Sequence, residues 1–128
     1  MNRIILLLLL SFLTINIFAQ DIQQKNVPAV ILNAFKLKFP NASDVDWRLE
    51  RGNYRIRFEV NNKDHELYLS DRGNVLKHHQ DLYESEVPER VLRTLKSKVA
   101  FFDLEDADRI VDGNKTVYEI NFEIDNKD

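Results

Sequence analysis

The sequence predicts an α+β fold in which two helices pack on one face of an antiparallel sheet. Three observations support this prediction. A helical pattern gives way to an alternating one twice along the chain, turn residues separate the alternating segments, and the order of the segments repeats. We therefore expect two tandem repeats, about residues 27–82 and 87–128, each a helix followed by antiparallel strands, within one domain spanning residues 20–128.

An apolar segment, residues 1–19, precedes the repeats, and we assign it to a cleaved signal peptide. Arg3 supplies positive charge at its start, a mostly apolar run follows, and Ala19 is a small residue suited to the cleavage position. The alternative is a membrane anchor, which needs a run of about 20 apolar residues. We therefore expect a protein that is exported and has no membrane contact after cleavage.

The composition excludes some classes of function. The chain has 128 residues, no cysteine and a formal net charge of −3, which becomes −4 when Arg3 leaves with the signal peptide. A mildly acidic chain with scattered charges argues against nucleic acid as a partner. No disulfide can form, so the exported domain must be held together by the packing of its core.

Each predicted repeat begins with a helix that follows a proline. Pro28 and Pro88 occupy matching positions, where the missing N–H group has no intrahelical partner to lose, and Pro40 ends the first helix. Helical spacing places apolar residues on one side of each helix, which we expect to face the sheet. These residues are Val27, Ile31, Ala34 and Phe35 in the first helix, and Val91, Leu92, Leu95 and Val99 in the second.

Alternating segments follow the first helix at residues 45–50, 54–60 and 65–70, and an extended piece runs from 75 to 82. Turns at 51–53 and 61–64 predict a consistent antiparallel pairing on one apolar face, which a one-residue slip would turn outward. The expected pairs are Leu49 with Tyr54, Trp47 with Ile56, Val45 with Phe58, Phe58 with Leu67, and Ile56 with Leu69.

The second repeat departs from the first at two places. Arg109 stands where Trp47 stands, so this core position is lost or turned outward, and Ile110 could replace it if the strand bulges. The second repeat also lacks a counterpart of residues 65–76, so its last strand is predicted to have an open edge. Residues 75–82 could fill this edge, a second copy or a partner peptide could add a strand, or the edge could stay bare. The candidate edge residues are Tyr118, Glu119, Asn121 and Glu123.

The face of the sheet away from the helices is the second candidate site. Arginine and tyrosine are favoured at protein interfaces, and a face with segregated charges could orient a partner. Any antiparallel sheet covered on one side would also have a charged outer face, so this pattern has an alternative explanation. The candidate residues are Arg48, Arg55, Arg57, Glu59, Glu66 and Tyr68.

No catalytic motif is present, and we expect neither enzymatic activity nor a cofactor. His78 and His79 are adjacent on an extended segment, so their side chains point to opposite faces and cannot chelate one ion together. A hairpin places His79 opposite Glu66 and His78 opposite Leu67, and a single His–Glu pair is too few ligands for a zinc site. No metal is therefore predicted, although metal binding by His65, His78 or His79 stays open.

Several segments carry a resemblance to a known family. They are Asp44–Trp47 before a strand, the alternating Tyr54–Val60, and Glu66–Leu76 with its Asp-x-Gly turn. In these segments the chain resembles the PepSY-like family of exported bacterial proteins, whose fold is also described as β-lactamase-inhibitor-like. That family has no agreed catalytic residues, and related modules are thought to restrain proteases.

The resemblance and the charged face together predict a non-enzymatic exported binding module, periplasmic or secreted, that inhibits or modulates an envelope or secreted protein. Its partner would be another exported protein or peptide, or a second copy of the chain paired through the edge strand. The alternative is an envelope protein that binds a small ligand or a metal. A likeness of fold does not by itself establish either function.

Overall fold

The computed structural model describes residues 19–124, so the predicted signal peptide, apart from Ala19, and the charged residues 125–128 lie outside it. Two helices, α1 (Ala29–Lys38) and α2 (Glu89–Lys98), are each preceded by a 3₁₀ turn. The seven strands are β1 (Gln20–Ile22), β2 (Ser43–Glu50), β3 (Asn53–Val60), β4 (Lys63–Leu69), β5 (Val75–Asp81), β6 (Phe102–Asp112) and β7 (Lys115–Ile124). Neither described helix has the length and apolar character needed to cross a membrane.

The strands form one open antiparallel sheet in the order β1 to β7, so each strand lies beside its neighbours in sequence. Both helices pack against the same face. The predicted α+β class is therefore confirmed. Strand β1 was not predicted, because three residues next to the predicted signal peptide are too few to show an alternating pattern.

The hairpin from β2 to β3 has the predicted pairing of Trp47 with Ile56 and Leu49 with Tyr54. The predicted pair of Val45 and Phe58 is absent. A bulge at this end of β2 shifts the pairing between Ser43 and Asp46, and Asp44 takes a positive φ of 50° there.

The predicted pairing of β3 with β4 is wrong by two residues. Ile56 lies opposite Leu67 and Phe58 opposite His65, because the turn has only two residues, Asn61 and Asn62. Both have positive φ, 51° and 61°, which is the geometry of a tight type I′ turn that asparagine tolerates. A shift of two residues leaves every side chain on its predicted face, so the core is unaffected.

The position of strand β5 rules out one of the three possibilities for the open edge of the last strand. Residues 75–82 do not fill the edge of β7. Instead β5 pairs with β4 on one side and with β6 on the other, which joins the two halves into one sheet. His79 lies opposite Glu66 and His78 opposite Leu67, as predicted. In the described part of the chain, β7 pairs only with β6.

The core consists of two clusters of unequal size. The larger lies between α1 and strands β2–β4 and contains Val27, Ile31, Phe35, Trp47, Ile56, Phe58, Leu67 and Leu69. The smaller contains Leu82, Val87 and Ala107, with Val91 and Leu92 of α2 only partly buried against it. No residue of α2 is fully buried, whereas Ile31 and Phe35 of α1 are, so the two helices pack differently and the tandem repeat stays a prediction.

The position that matches Trp47 is indeed lost from the apolar core. Arg109 pairs with Tyr118, points to the helix side of the sheet and donates a hydrogen bond of 2.9 Å from Nη2 to Gln80 Oε1. Ile110 does not replace it, because Ile110 pairs with His79 on the opposite face. A bulge between Leu104 and Asp106 instead brings Ala107 into the core, where it is 1 % exposed.

The turn between β4 and β5 touches α1 through Gly73. Its φ is +82°, and a Cβ atom there would lie 3.1 Å from Ala34 Cβ and 3.4 Å from the Val30 carbonyl oxygen. We expect Gly73→Ala to lower the free energy of unfolding by about 1–3 kcal/mol, because strain at positive φ and a steric clash add together. Urea unfolding measures this loss.

Gly52→Ala is the matched control for Gly73→Ala. Gly52 has nearly the same φ, +80°, but an added Cβ would meet nothing within 4 Å. The difference between the two variants therefore isolates the contact with α1. Equal losses in both variants would show that the turn does not press on the helix.

Candidate functional site

The sheet face away from the helices, called here the open face, carries all six residues predicted to bind a partner. Cross-strand pairing aligns them in rows. Arg48, Arg55 and Tyr68 form one row that continues to Lys77, and Arg57 and Glu66 lie in the next row with Asp46 and His79. Glu59 pairs with Asp64 in a third row, which lies at the acidic end of the face.

Glu66 is the centre of a hydrogen-bonded charge network on the open face. Its Oε2 atom accepts hydrogen bonds from Arg57 Nε at 2.9 Å and from Arg55 Nη2 at 3.0 Å. Its Oε1 atom accepts a bond of 2.7 Å from the Tyr68 hydroxyl. Arg55 also lies 3.8 Å from Glu50, so the guanidinium groups are held in place by carboxylates on two strands.

The pKa values in this network follow from these bonds. Burial acts to raise the pKa of Glu66, but hydrogen bonds from Arg55, Tyr68 and Arg57 outweigh it and lower the pKa to about 2. Burial and the hydrogen bond to Glu66 raise the pKa of Tyr68 to about 12. The hydrogen bond to Glu66 likewise raises the pKa of Arg55. All three groups therefore keep one charge state near neutral pH.

Arg48 is paired separately, with carboxylates on β1 and on its own strand. Its Nε atom lies 3.0 Å from Asp21 Oδ1 and 3.6 Å from Asp46 Oδ2. Each of the three arginines on the open face thus has an acidic neighbour. These neighbours reduce the positive electrostatic potential that the arginines would otherwise create there. Arg57 is the most exposed of the three, with 49 % of its side chain accessible.

The open face becomes acidic towards β5 and β6, where His79, Asp81 and Asp108 converge. One ligating atom from each lies within 4.8 Å of the others. Asp81 and Asp108 are direct cross-strand partners, and His79 Nε2 is 3.7 Å from Asp108 Oδ1. Burial, together with the neighbouring carboxylates of Asp81 and Asp106, raises the pKa of Asp108 to about 6.

A surface cavity of about 370 Å³ borders this acidic region. The residues that line it include Asp44, Arg57, Glu59, Asp64, His79 and Asp81. Most of its charge is negative, with Arg57 as the cationic side chain, so it is better suited to a cation or a basic group than to an anion.

A pair of histidines lies on the other face of the sheet, under α1. His65 Nδ1 and His78 Nε2 are 3.0 Å apart, and their rings stack with 5.2 Å between centroids. Phe58 and Phe39 flank the pair at 5.1 and 5.3 Å. Burial lowers the pKa of both rings, that of His78 to about 4 with a further contribution from His65, so the pair is an uncharged part of the core margin.

The predicted edge residues all lie on β7, but they do not share one face. Tyr118 points to the helix side and packs against the smaller core cluster. Glu119, Asn121 and Glu123 are exposed and, by the pairing of β6 with β7, lie on the open face. The polar edge of the strand is therefore continuous with the acidic part of that face.

Asp21, Asp81 and Asp108 are functional candidates that the sequence did not identify. Asp21 belongs to the unpredicted β1, and Asp108 meets Asp81 only because β5 pairs with β6. The available signal was the alternation of polar residues along 77–81, which places His79 and Asp81 on one side of a strand.

No protein-family model and no curated protein matches the chain. Several solved structures, in contrast, are similar to it. A BLIP-like protein from Bacteroides fragilis has a TM-score of 0.62 at 20 % identity, covering 77 % of this chain and 72 % of that chain. A DUF2874 family protein from Bacteroides uniformis has a TM-score of 0.61 at 18 % identity, covering 77 % and 74 %.

A periplasmic candidate from Bacteroides eggerthii is similar to the same degree, with a TM-score of 0.62 at 16 % identity over 76 % of this chain and 72 % of that chain. Identities this low show the fold alone. The chain therefore has a BLIP-like fold, which it shares with a DUF2874 family protein and a periplasmic candidate of Bacteroides.

Proposed function

We propose that this protein is a non-enzymatic, exported binding module that inhibits or modulates another envelope or secreted protein through its open face. The observation that carries the proposal is the network around Glu66. Arg55, Arg57 and Tyr68 are fixed by bonds of 2.7–3.0 Å on a sheet face that neither of the two described helices covers. Such side chains lose little conformational freedom on binding, which lowers the cost of association.

The residue types in this network also support a protein partner. Tyrosine and arginine are enriched among residues that dominate binding energy, and Arg57 remains half exposed and free to form a second ion pair. The fold adds support by analogy, because it is shared with a BLIP-like protein and the chain resembles the PepSY-like family.

We also propose that residues 1–19 are a signal peptide and that the two halves of the chain arose by duplication. Both halves begin with a 3₁₀ turn, then a proline, then a ten-residue helix that leads into the sheet. This order supports descent of the two halves from one PepSY-like module. The partner would reach the open face in the periplasm or outside the cell.

Site-specific photo-cross-linking in the producing cells tests the proposed binding face. A cross-linker in place of Lys77, on the open face, should give an adduct of one defined mass. A cross-linker in place of the exposed Lys96 on α2 should not give this adduct. Arg57→Ala should reduce the Lys77 adduct by about tenfold or more, because it removes a central interface cation.

Arg93→Ala is the matched control, since it removes an exposed arginine that pairs with Glu89 on the helix side. It should leave the adduct unchanged. The proposal fails if adducts form equally from both cross-linker positions, or if Arg57→Ala and Arg93→Ala have the same effect.

A further inference from the structure

We propose that His79, Asp81 and Asp108 form a binding site for one divalent transition-metal ion of the Zn²⁺ type. Each residue offers one ligand atom, and the three atoms lie within 4.8 Å of one another on the open face. This inference does not rest on the proposed binding function, since the site is built entirely within the chain.

The backbone fixes the three side chains on one side of the sheet. His79 and Asp81 are two residues apart on β5, and Asp108 lies directly opposite Asp81 on β6. Both strands are interior strands of the sheet, paired on two sides. The ligands therefore stand on rigid elements, which favours a preformed site over one that assembles from loops.

The distances are close to those that a bound ion requires. Zinc bonds of about 2.1 Å at tetrahedral angles place neighbouring ligand atoms about 3.4 Å apart. His79 Nε2 and Asp108 Oδ1 are already 3.7 Å apart. The ligand atom of Asp81 lies within 4.8 Å of both of these atoms.

Asp108 provides an independent sign that a ligand is missing. The residue is only 9 % exposed, and its Oδ1 atom is buried without a hydrogen-bond partner among the described residues. That atom is the one nearest to His79 Nε2. An unpaired buried carboxylate oxygen is costly, and a cation held between the three residues would satisfy it.

The mixed ligand set favours a particular class of ion. Carboxylates alone would suit Ca²⁺ or Mg²⁺, which take six or more oxygen ligands, but an imidazole nitrogen favours ions such as Zn²⁺. Three protein ligands leave at least one coordination position open. The neighbouring cavity of about 370 Å³ gives that position access to water or to a donor from another molecule.

Isothermal titration of Zn²⁺ into the protein purified from its producing cells tests the site. One ion should bind per chain, and a tenfold excess of Mg²⁺ should not displace it. His79→Gln and Asp108→Asn should each weaken Zn²⁺ binding by about tenfold or more, because each removes a direct ligand. Circular dichroism and urea unfolding without metal confirm that both variants are folded.

Glu59→Gln is the matched control, since it removes one carboxylate from the same cavity but lies on β3, two strands away from β5. It should change Zn²⁺ affinity by less than about threefold, as expected for a longer-range charge effect. The proposal is overturned if Zn²⁺ does not bind, if Glu59→Gln weakens binding as much as Asp108→Asn, or if both ligand variants bind Zn²⁺ like the wild type.

Discussion

Phe35→Ala is expected to lower the free energy of unfolding by about 3–5 kcal/mol, a large part of the roughly 5–15 kcal/mol available to a domain of this size. Phe35 is 3 % exposed. Its ring makes edge-to-face contacts with Trp47 at 5.2 Å and with Phe58 at 5.0 Å. The substitution therefore removes buried surface, leaves a cavity and loses two aromatic contacts. Trp47 is the only tryptophan, so its fluorescence can follow urea unfolding.

Leu95→Ala is the matched control for Phe35→Ala, because Leu95 holds the corresponding position on α2. It is only partly buried, and α2 has no fully buried residue. We expect its loss to stay below about 2 kcal/mol. Similar losses at the two positions would contradict the conclusion that the larger cluster under α1 holds the fold together.

Glu66→Gln is expected to destabilise the protein by about 2–3 kcal/mol at pH 7, because charge-assisted hydrogen bonds from two arginines are replaced by weaker ones. This cost should depend on pH. The pKa of Glu66 is about 2 in the folded state, below its ordinary value of 4.5. The charged carboxylate therefore contributes its full stability above about pH 4.5 and loses it as the pH falls towards 2.

The measurement is the difference in unfolding free energy between wild type and Glu66→Gln at pH 7, 4 and 3. This difference should shrink with decreasing pH. Glu59→Gln serves as control, since Glu59 forms no ion pair in the part of the chain that the structure describes. Its effect should remain below about 0.5 kcal/mol at each pH. A pH-independent loss in Glu66→Gln would show that the network is not electrostatic.

The sequence was a good guide to which residues face the core. The alternation at 54–60 placed Ile56 and Phe58 inside, and they are 0 % and 3 % exposed. Alternation has a period of two, so even the wrong turn length at Asn61 and Asn62 left each side chain on the correct face. Asparagine is common in turns of several lengths, and nothing local to the sequence distinguishes a two-residue loop from a four-residue one.

The arrangement of the two halves was harder to predict. The pairing of β5 with β6 joins segments separated by α2, and only tertiary structure reveals that Asp81 faces Asp108. The bulge between Leu104 and Asp106 has a similar consequence. It changes which residues of β6 reach the core, so comparison with the first helix–strand unit could not identify Ala107 in advance.

The sequence predicted which residues lie on the open face, but not how their side chains interact. All six open-face residues were placed correctly, because every second residue of a covered sheet must face outward. The Glu66 network depends on side-chain conformations and on the alignment of neighbouring strands. The alternation of polar and apolar residues in the sequence determines neither of them. Asp21, which neutralises Arg48, came from a strand of only three residues beside the expected cleavage position.

The order of the strands, each beside its neighbour in sequence, has a kinetic consequence. Contacts between residues close along the chain need only short loops to close, and such topologies form quickly. The N-terminal hairpins can acquire their contacts before the C-terminal strands do, and no disulfide has to form afterwards, because the chain has no cysteine. This topology therefore suits a polypeptide that must reach its native state without the help of any covalent cross-link.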